Sequence, residues 1–321
     1  MKIIVTGGAG FIGSAVVWRL NELGHDDILI VDRLDETDKW KNLVPLKFAD
    51  YLDADDFLDD LGDFKDAQGI FHLGACSATT ERDSDYLMRN NYQYTKDLAD
   101  FAVANNIRFV YASSAATYGD RSAGMDDGTE HLDALRPLNM YGYSKHIFDK
   151  YAARNGMFDR IVGLKYFNVF GPNEDHKGDM RSLVNKAFGE INATGMIGLF
   201  RSYNPNFEDG EFGRDFVYVK DAVDMTLHFL ENSVGGLFNV GSGEAATWNS
   251  LANAAFAALD RKPNIQYIDM PEQLRGKYQY HTQADLTRIR NAGYAKPITP
   301  LADAVADYVQ NYLVPDKHLG D

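Results

Sequence analysis

Thr6-Gly7-Gly8-Ala9-Gly10-Phe11-Ile12-Gly13 is the stretch on which the fold of this 321-residue chain turns. It satisfies G-x-x-G-x-x-G from Gly7 and G-x-G-x-x-G from Gly8. Before it stands the apolar run Ile3-Ile4-Val5, a short strand by pattern. After it, residues 11–23 carry Ile12, Val16, Leu20 and Leu23 at helical spacing and stop at Gly24. A glycine-rich turn between a strand and a helix lets backbone amides approach a pyrophosphate, and the helix N-terminus favours its negative charge. Gly7, Gly10 and Gly13 are therefore read as cofactor contacts.

Outward from that turn, strands and helices alternate. Residues 28–31, 69–73, 108–112 and 161–165 read as buried strands, and 83–105 and 141–155 as helices. Continuous apolar strands between helices imply a parallel sheet covered on both faces. The expected fold is α/β: a Rossmann-type doubly wound parallel sheet with a smaller C-terminal α/β substrate lobe. Residues 1–167 form the dinucleotide-binding domain. Strands at 215–219 and 237–240 are expected to bring 215–241 back to it, leaving 168–214 and 242–321 as the substrate lobe. A last helix is expected at 300–313.

Asp32 ends the second strand, 19 residues after Gly13. An acid there bonds a ribose hydroxyl and favours NAD, whereas Arg33 and Lys39 suit a 2′-phosphate. The residues alone leave that choice open. Asp50 is placed after the third strand, either receiving the adenine amino group or capping a helix. Tyr141-Gly142-Tyr143-Ser144-Lys145 puts Tyr141 and Lys145 four apart near a helix start, on one face. A nearby ammonium favours tyrosinate, so Tyr141 is expected to have a lowered pKa and to move protons near neutrality. Ser113-Ser114 ends a strand at the carboxyl edge, where ligands sit in such sheets. Ser114 is the expected hydrogen-bond partner of the reacting oxygen.

Composition narrows the classes. The net charge of -15 speaks against nucleic acid, and an anionic substrate needs local cations. The single cysteine, Cys76, excludes an intrachain disulfide and fits a reducing compartment. The opening MKIIVTGG reads as a strand rather than a signal peptide, and no apolar run reaches membrane-spanning length. The expectation is a cytoplasmic protein without a membrane partner. His72, His146 and His176 fall on different elements without carboxylates at ligand spacing, so no metal is expected.

With these landmarks in order, TGGAGFIG, Asp32, SSAATYG, YGYSK, YFNVFGP, RDFVYVKD and FNVGSG, the chain resembles extended short-chain dehydrogenases acting on sugar nucleotides. HLGACSATTE, NNYQYTKDL, YASSAATYG, LNMYGYSK, FNVFGPNEDHKGDM and YQYHTQADL resemble the ADP-glyceromanno-heptose 6-epimerase branch, over nearly the full length. The resemblance implies tightly bound NADP, with NAD as the alternative. It implies an ADP-heptose inverted at C6 through a keto intermediate, a precursor of lipopolysaccharide core heptose, and a homo-oligomer such as a pentamer. It implies Tyr141 and Lys177 as acid/base residues supported by Ser114 and Lys145. Phe11, Ile12, Asp32, Arg33, Lys39, Gly74, Ala75, Ser77, Asn90 and Val169 are implied near the cofactor, and Lys145 and Lys177 also touch it. Asn168, Asp179, Lys186, Arg214 and Tyr278 are implied near the substrate. Ala54 and Leu73 stand where the family often has lysine and glutamate.

Two rival activities are weighed, and the second is disfavoured because the acid that water elimination uses is missing. A UDP-hexose 4-epimerase shares these landmarks. A 4,6-dehydratase resembles a Thr-Asp-Glu pattern after the serine strand, where this chain has Ala115-Ala116-Thr117. A nicotinamide-sensing binding protein would dispense with the tyrosine or lysine; here both are present.

Overall fold

A computed structural model describes residues 2–275 and 279–321. The first half runs β1 (Ile3–Thr6), α1 (Phe11–Glu22), β2 (Ile28–Asp32), β3 (Asp50–Asp53), α2 (Ala54–Asp59), β4 (Gly69–His72), α3 (Ser84–Leu87), α4 (Tyr94–Asn105), β5 (Arg108–Ser114), α5 (Met140–Arg154) and β6 (Ile161–Tyr166). A π-helical turn, Met88–Gln93, joins α3 to α4. The second half runs β7 (Asn168–Phe170), α6 (Leu183–Thr194), β8 (Ile197–Phe200), β9 (Gly213–Tyr218), α7 (Val219–Glu231), β10 (Gly236–Val240) and β11 (Ala245–Thr247). It closes with α8 (Trp248–Ala258), β12 (Ile265–Ile268), α9 (Glu272–Arg275), α10 (Thr287–Asn291) and α11 (Leu301–Tyr308).

Seven strands form one parallel sheet in the order β10-β6-β5-β4-β1-β2-β3. The order reverses between β1 and β4, which opens a crevice at their carboxyl ends. Alternation sorts the strand residues between two cores. Ile3, Val5, Ile28 and Ile30 pack on the α1 side with Val16 and Phe229. Ile4, Leu29, Val31 and Ile70 pack on the other side with Leu98 and Phe148. Both faces are apolar because helices cover both.

The return of the chain to the large sheet differs from the sequence expectation in one respect. β10 pairs with β6 as expected. The strand at 213–218 instead joins a separate three-stranded sheet, β11-β9-β7. It is α7, directly after β9, that packs back against α1, β5 and β6. β8 and β12 make a further parallel pair. The cluster on the α1 side continues without a break into this second region, taking in Val217, Leu251, Phe256 and Tyr308.

Candidate active site

The glycine turn is built by close approach. Gly7 takes φ +70°, and a Cβ on it would lie 2.5 Å from the Gly74 nitrogen. A Cβ on Gly13 would lie 1.9 Å from the Gly7 carbonyl oxygen. Glycine at both is what lets α1 start against the ends of β1 and β4. Gly10 precedes α1, and a Cβ there would meet only the Gly7 oxygen, at 3.2 Å, on the side of an open cavity. That cavity, about 500 Å³, is lined by Gly7, Gly10, Phe11, Ile12 and Gly13 from the turn, a volume typical of small-molecule sites. Asp32 and Lys39 follow from the end of β2, and Gly74, Ala75 and Ser77 from the loop after β4. The trio expected to be catalytic, Ser114, Tyr141 and Lys145, lines the same space, as do Asn168, Val169 and Lys177.

A smaller recess of about 220 Å³ adjoins it, sharing Gly7, Asp32, Lys39, Gly74 and Ala75 and adding Arg33, Asn90 and Cys76. Asp32 Oδ2 accepts from the Ala9 amide at 2.9 Å, and Oδ1 accepts from the Arg33 amide and Lys39 Nζ, each at 2.8 Å. The acid at the end of β2 is thus braced against the glycine turn.

Two devices set the tyrosine. Asn139 caps α5 by accepting from the Gly142 amide at 2.8 Å. Gly142 admits the helix to the turn after Ser114, since a Cβ there would lie 2.7 Å from the Ala116 oxygen. Burial raises the Tyr141 phenol above its ordinary range, and a hydrogen bond with Ser114 pulls it back. The sequence expectation of a lowered phenol is therefore corrected: desolvation outweighs the neighbouring groups. Burial instead brings the Lys145 ammonium down to about 8, against the opposing pull of Asp149 and Cys76.

Behind the trio lies a buried polar cluster. Asp149, one turn past Lys145, accepts from Lys165 Nζ and Tyr111 Oη at 2.7 Å and from Ser113 Oγ at 2.8 Å. Lys165 also donates to Thr117 Oγ1 at 2.7 Å. This ties α5, β5 and β6 together beneath Ser114.

Lys177 sits on a 3₁₀ turn, Asp175–Met180, that is sewn to the glycine turn. Asn42 Nδ2 donates to the carbonyls of Ala9 and Asn173, and Asn173 Nδ2 donates to Ser14 Oγ at 3.0 Å. The Lys177 ammonium lies 5.0 Å over the Phe11 ring. Burial lowers it from the ordinary lysine range, and buried Glu174 pulls it back.

Asp50 lies elsewhere, and three further expected contacts are not among the residues that line the cavity. Asp50 begins β3 rather than following it, at the amino edge of the sheet, remote from the crevice. The acid at the crevice end of that strand is Asp53, paired in register with Asp32 and capping α2. Asp179 is exposed and holds Lys186 Nζ through its backbone carbonyl at 2.6 Å; neither lines the cavity. Arg214 is buried on β9, donating to the Gly213 carbonyl, and also lies outside the lining. Tyr278 lies outside the described residues. Sequence reading missed Arg181, Phe216 and Trp248 in the cavity wall; only the position of Arg181 beside the Lys177 turn could have signalled it. His72 is hydrogen-bonded to Thr6 and Thr95, a core histidine.

The family model described as "NAD dependent epimerase/dehydratase family" matches residues 3–241. A protein of Nitratidesulfovibrio vulgaris (strain Hildenborough) named ADP-L-glycero-D-manno-heptose-6-epimerase is 53% identical, covering 98% of this chain and 99% of its own. One of the same name from Fusobacterium nucleatum is 47% identical, covering 97% and 98%. The crystal structure of the Helicobacter pylori ADP-L-glycero-D-manno-heptose-6-epimerase superposes with a TM-score of 0.81 at 28% identity, covering 97% of this chain and 95% of that one. Among the described residues no helix is long and apolar enough to cross a membrane.

Proposed function

Because the chain belongs to the NAD dependent epimerase/dehydratase family, we propose that it is an isomerase inverting C6 of ADP-D-glycero-β-D-manno-heptose, by transient oxidation and reduction with a bound nicotinamide dinucleotide. The observation that carries the reading is one cavity lined by both Tyr141 and Lys177, whose proton affinities burial displaces in opposite directions. A pair pushed apart in this way supplies one acid and one base.

The glycine turn, the α1 N-terminus and the Gly7–Gly74 approach fit a dinucleotide, whose pyrophosphate the amides of residues 10–12 would hold. A nicotinamide held by the turn and by Lys145 would supply hydride chemistry at C6, as acceptor from one face and donor to the other. Lys177, whose ammonium burial destabilises beside the cavity, accepts the C6 hydroxyl proton. Tyr141, held as a phenol, donates to the carbonyl oxygen when the hydride returns, and Ser114 steadies that oxygen. Running backwards, the two exchange roles. Lys145 holds the nicotinamide ribose and supplies positive charge beside Tyr141. Asn168 and Arg181 face the sugar nucleotide.

Conducting the reaction in D₂O tests the redox route. The returning hydrogen is the one removed, so the epimer should carry no deuterium at C6. Deuterium at C6 would replace transient oxidation with deprotonation at carbon.

A further inference from the structure

We propose that Asp55 sets the cofactor preference of this chain, by occupying the Arg33 fork that a 2′-phosphate would need. This rests on reading Arg33 as the 2′-phosphate contact. Arg33 leaves the end of β2 and lines the smaller recess. Its Nη2 pairs with Asp55 Oδ1, and its Nε donates to Asp55 Oδ2 at 3.3 Å. Its Nη1 donates to Asn90 Oδ1 at 2.8 Å. Every branch of the guanidinium therefore already meets an acceptor from the chain itself.

Asp55 is well placed to stay there. It lies in the first turn of α2, and its amide is held by the capping carboxylate of Asp53 at 2.9 Å. Nor is the second cation free of a carboxylate, since Lys39 pairs with Asp32 at 2.8 Å. A 2′-phosphate reaching Arg33 must displace Asp55 or sit beside it, like charge against like charge. The uncharged ribose of NAD needs only an acceptor, which Asp32 provides. Asp55 thus weighs on NADP and leaves NAD untouched. Its side chain is exposed, so its replacement acts on binding rather than on folding.

The test exchanges the bound cofactor against an equimolar mixture of NADP and NAD and assays the retained ratio. Asp55→Asn keeps the shape and removes the charge. It should shift retention toward NADP by roughly fivefold, the scale of an exposed charge pair, and the shift should shrink with added salt. Arg33→Ala is run alongside and should shift retention toward NAD. An unchanged ratio in Asp55→Asn, with Arg33→Ala shifting as expected, overturns the role of Asp55 and leaves the Arg33 reading intact. An unchanged ratio in Arg33→Ala removes the Arg33 reading, and the proposal with it.

Discussion

At the scale of single residues, the proposed chemistry rests on side chains whose proton affinities burial shifts. Tyr141→Phe and Lys177→Met should each lower kcat by about 10²–10⁴-fold, with nucleotide-sugar binding retained in calorimetry. A Lys177→Met enzyme turning over at the normal rate would leave Tyr141 as sole proton carrier. Lys145 gives a pH dependence of definite sign. Its ordinary value is 10.5 and burial brings it to about 8, so its charge is present below pH 8 and lost as pH rises through it. Because the proposed mechanism has that charge support cofactor and tyrosine, kcat/KM should fall on the basic side near pH 8. A profile flat to pH 10 would contradict the role given to Lys145.

At the scale of elements, the glycine turn separates two effects that sequence alone merges. Gly13→Ala puts a Cβ 1.9 Å from the Gly7 oxygen and should lower the melting temperature. Gly10→Val points into the cavity and should lose cofactor while the protein stays folded. Equal destabilisation of both would contradict this division. Beneath the trio, Asp149 balances Lys165, and both are buried. Asp149→Asn leaves that ammonium without its counter-charge and should cost about 3–5 kcal/mol in denaturant unfolding. Adding Lys165→Met should recover much of the loss; if it recovers none, the charge pair is not what Asp149 contributes. The sequence made the turn, Asp32 and the Tyr-x-x-x-Lys helix legible because each is local: a strand, a turn and a helix within one short stretch. It misplaced Asp50 because residues 50–53, only partly buried on an edge strand, give a weak apolar pattern. It could not foresee Phe216 and Trp248, which reach the cavity wall from β9 of the separate sheet and from the start of α8. The tyrosine's raised phenol was hidden for a similar reason, since burial depends on what packs around it.

At the scale of the whole molecule, one buried cluster runs from the large sheet into the region around α8 and α11. Unfolding should therefore be a single transition, coincident by far-ultraviolet circular dichroism and by tryptophan fluorescence, with Trp18 on α1 and Trp248 on α8 as reporters. Two separated transitions would mean two independently folding domains. Cofactor at a hundredfold excess over its Kd should add about 2.7 kcal/mol to stability, acting on both reporters together. The measurement bearing most directly on the central claim is NMR of the purified protein incubated with ADP-D-glycero-β-D-manno-heptose alone. The expected result is a mixture of the D-glycero and L-glycero epimers with no net consumption of nicotinamide. Unchanged substrate, or a product altered anywhere other than C6, would contradict it.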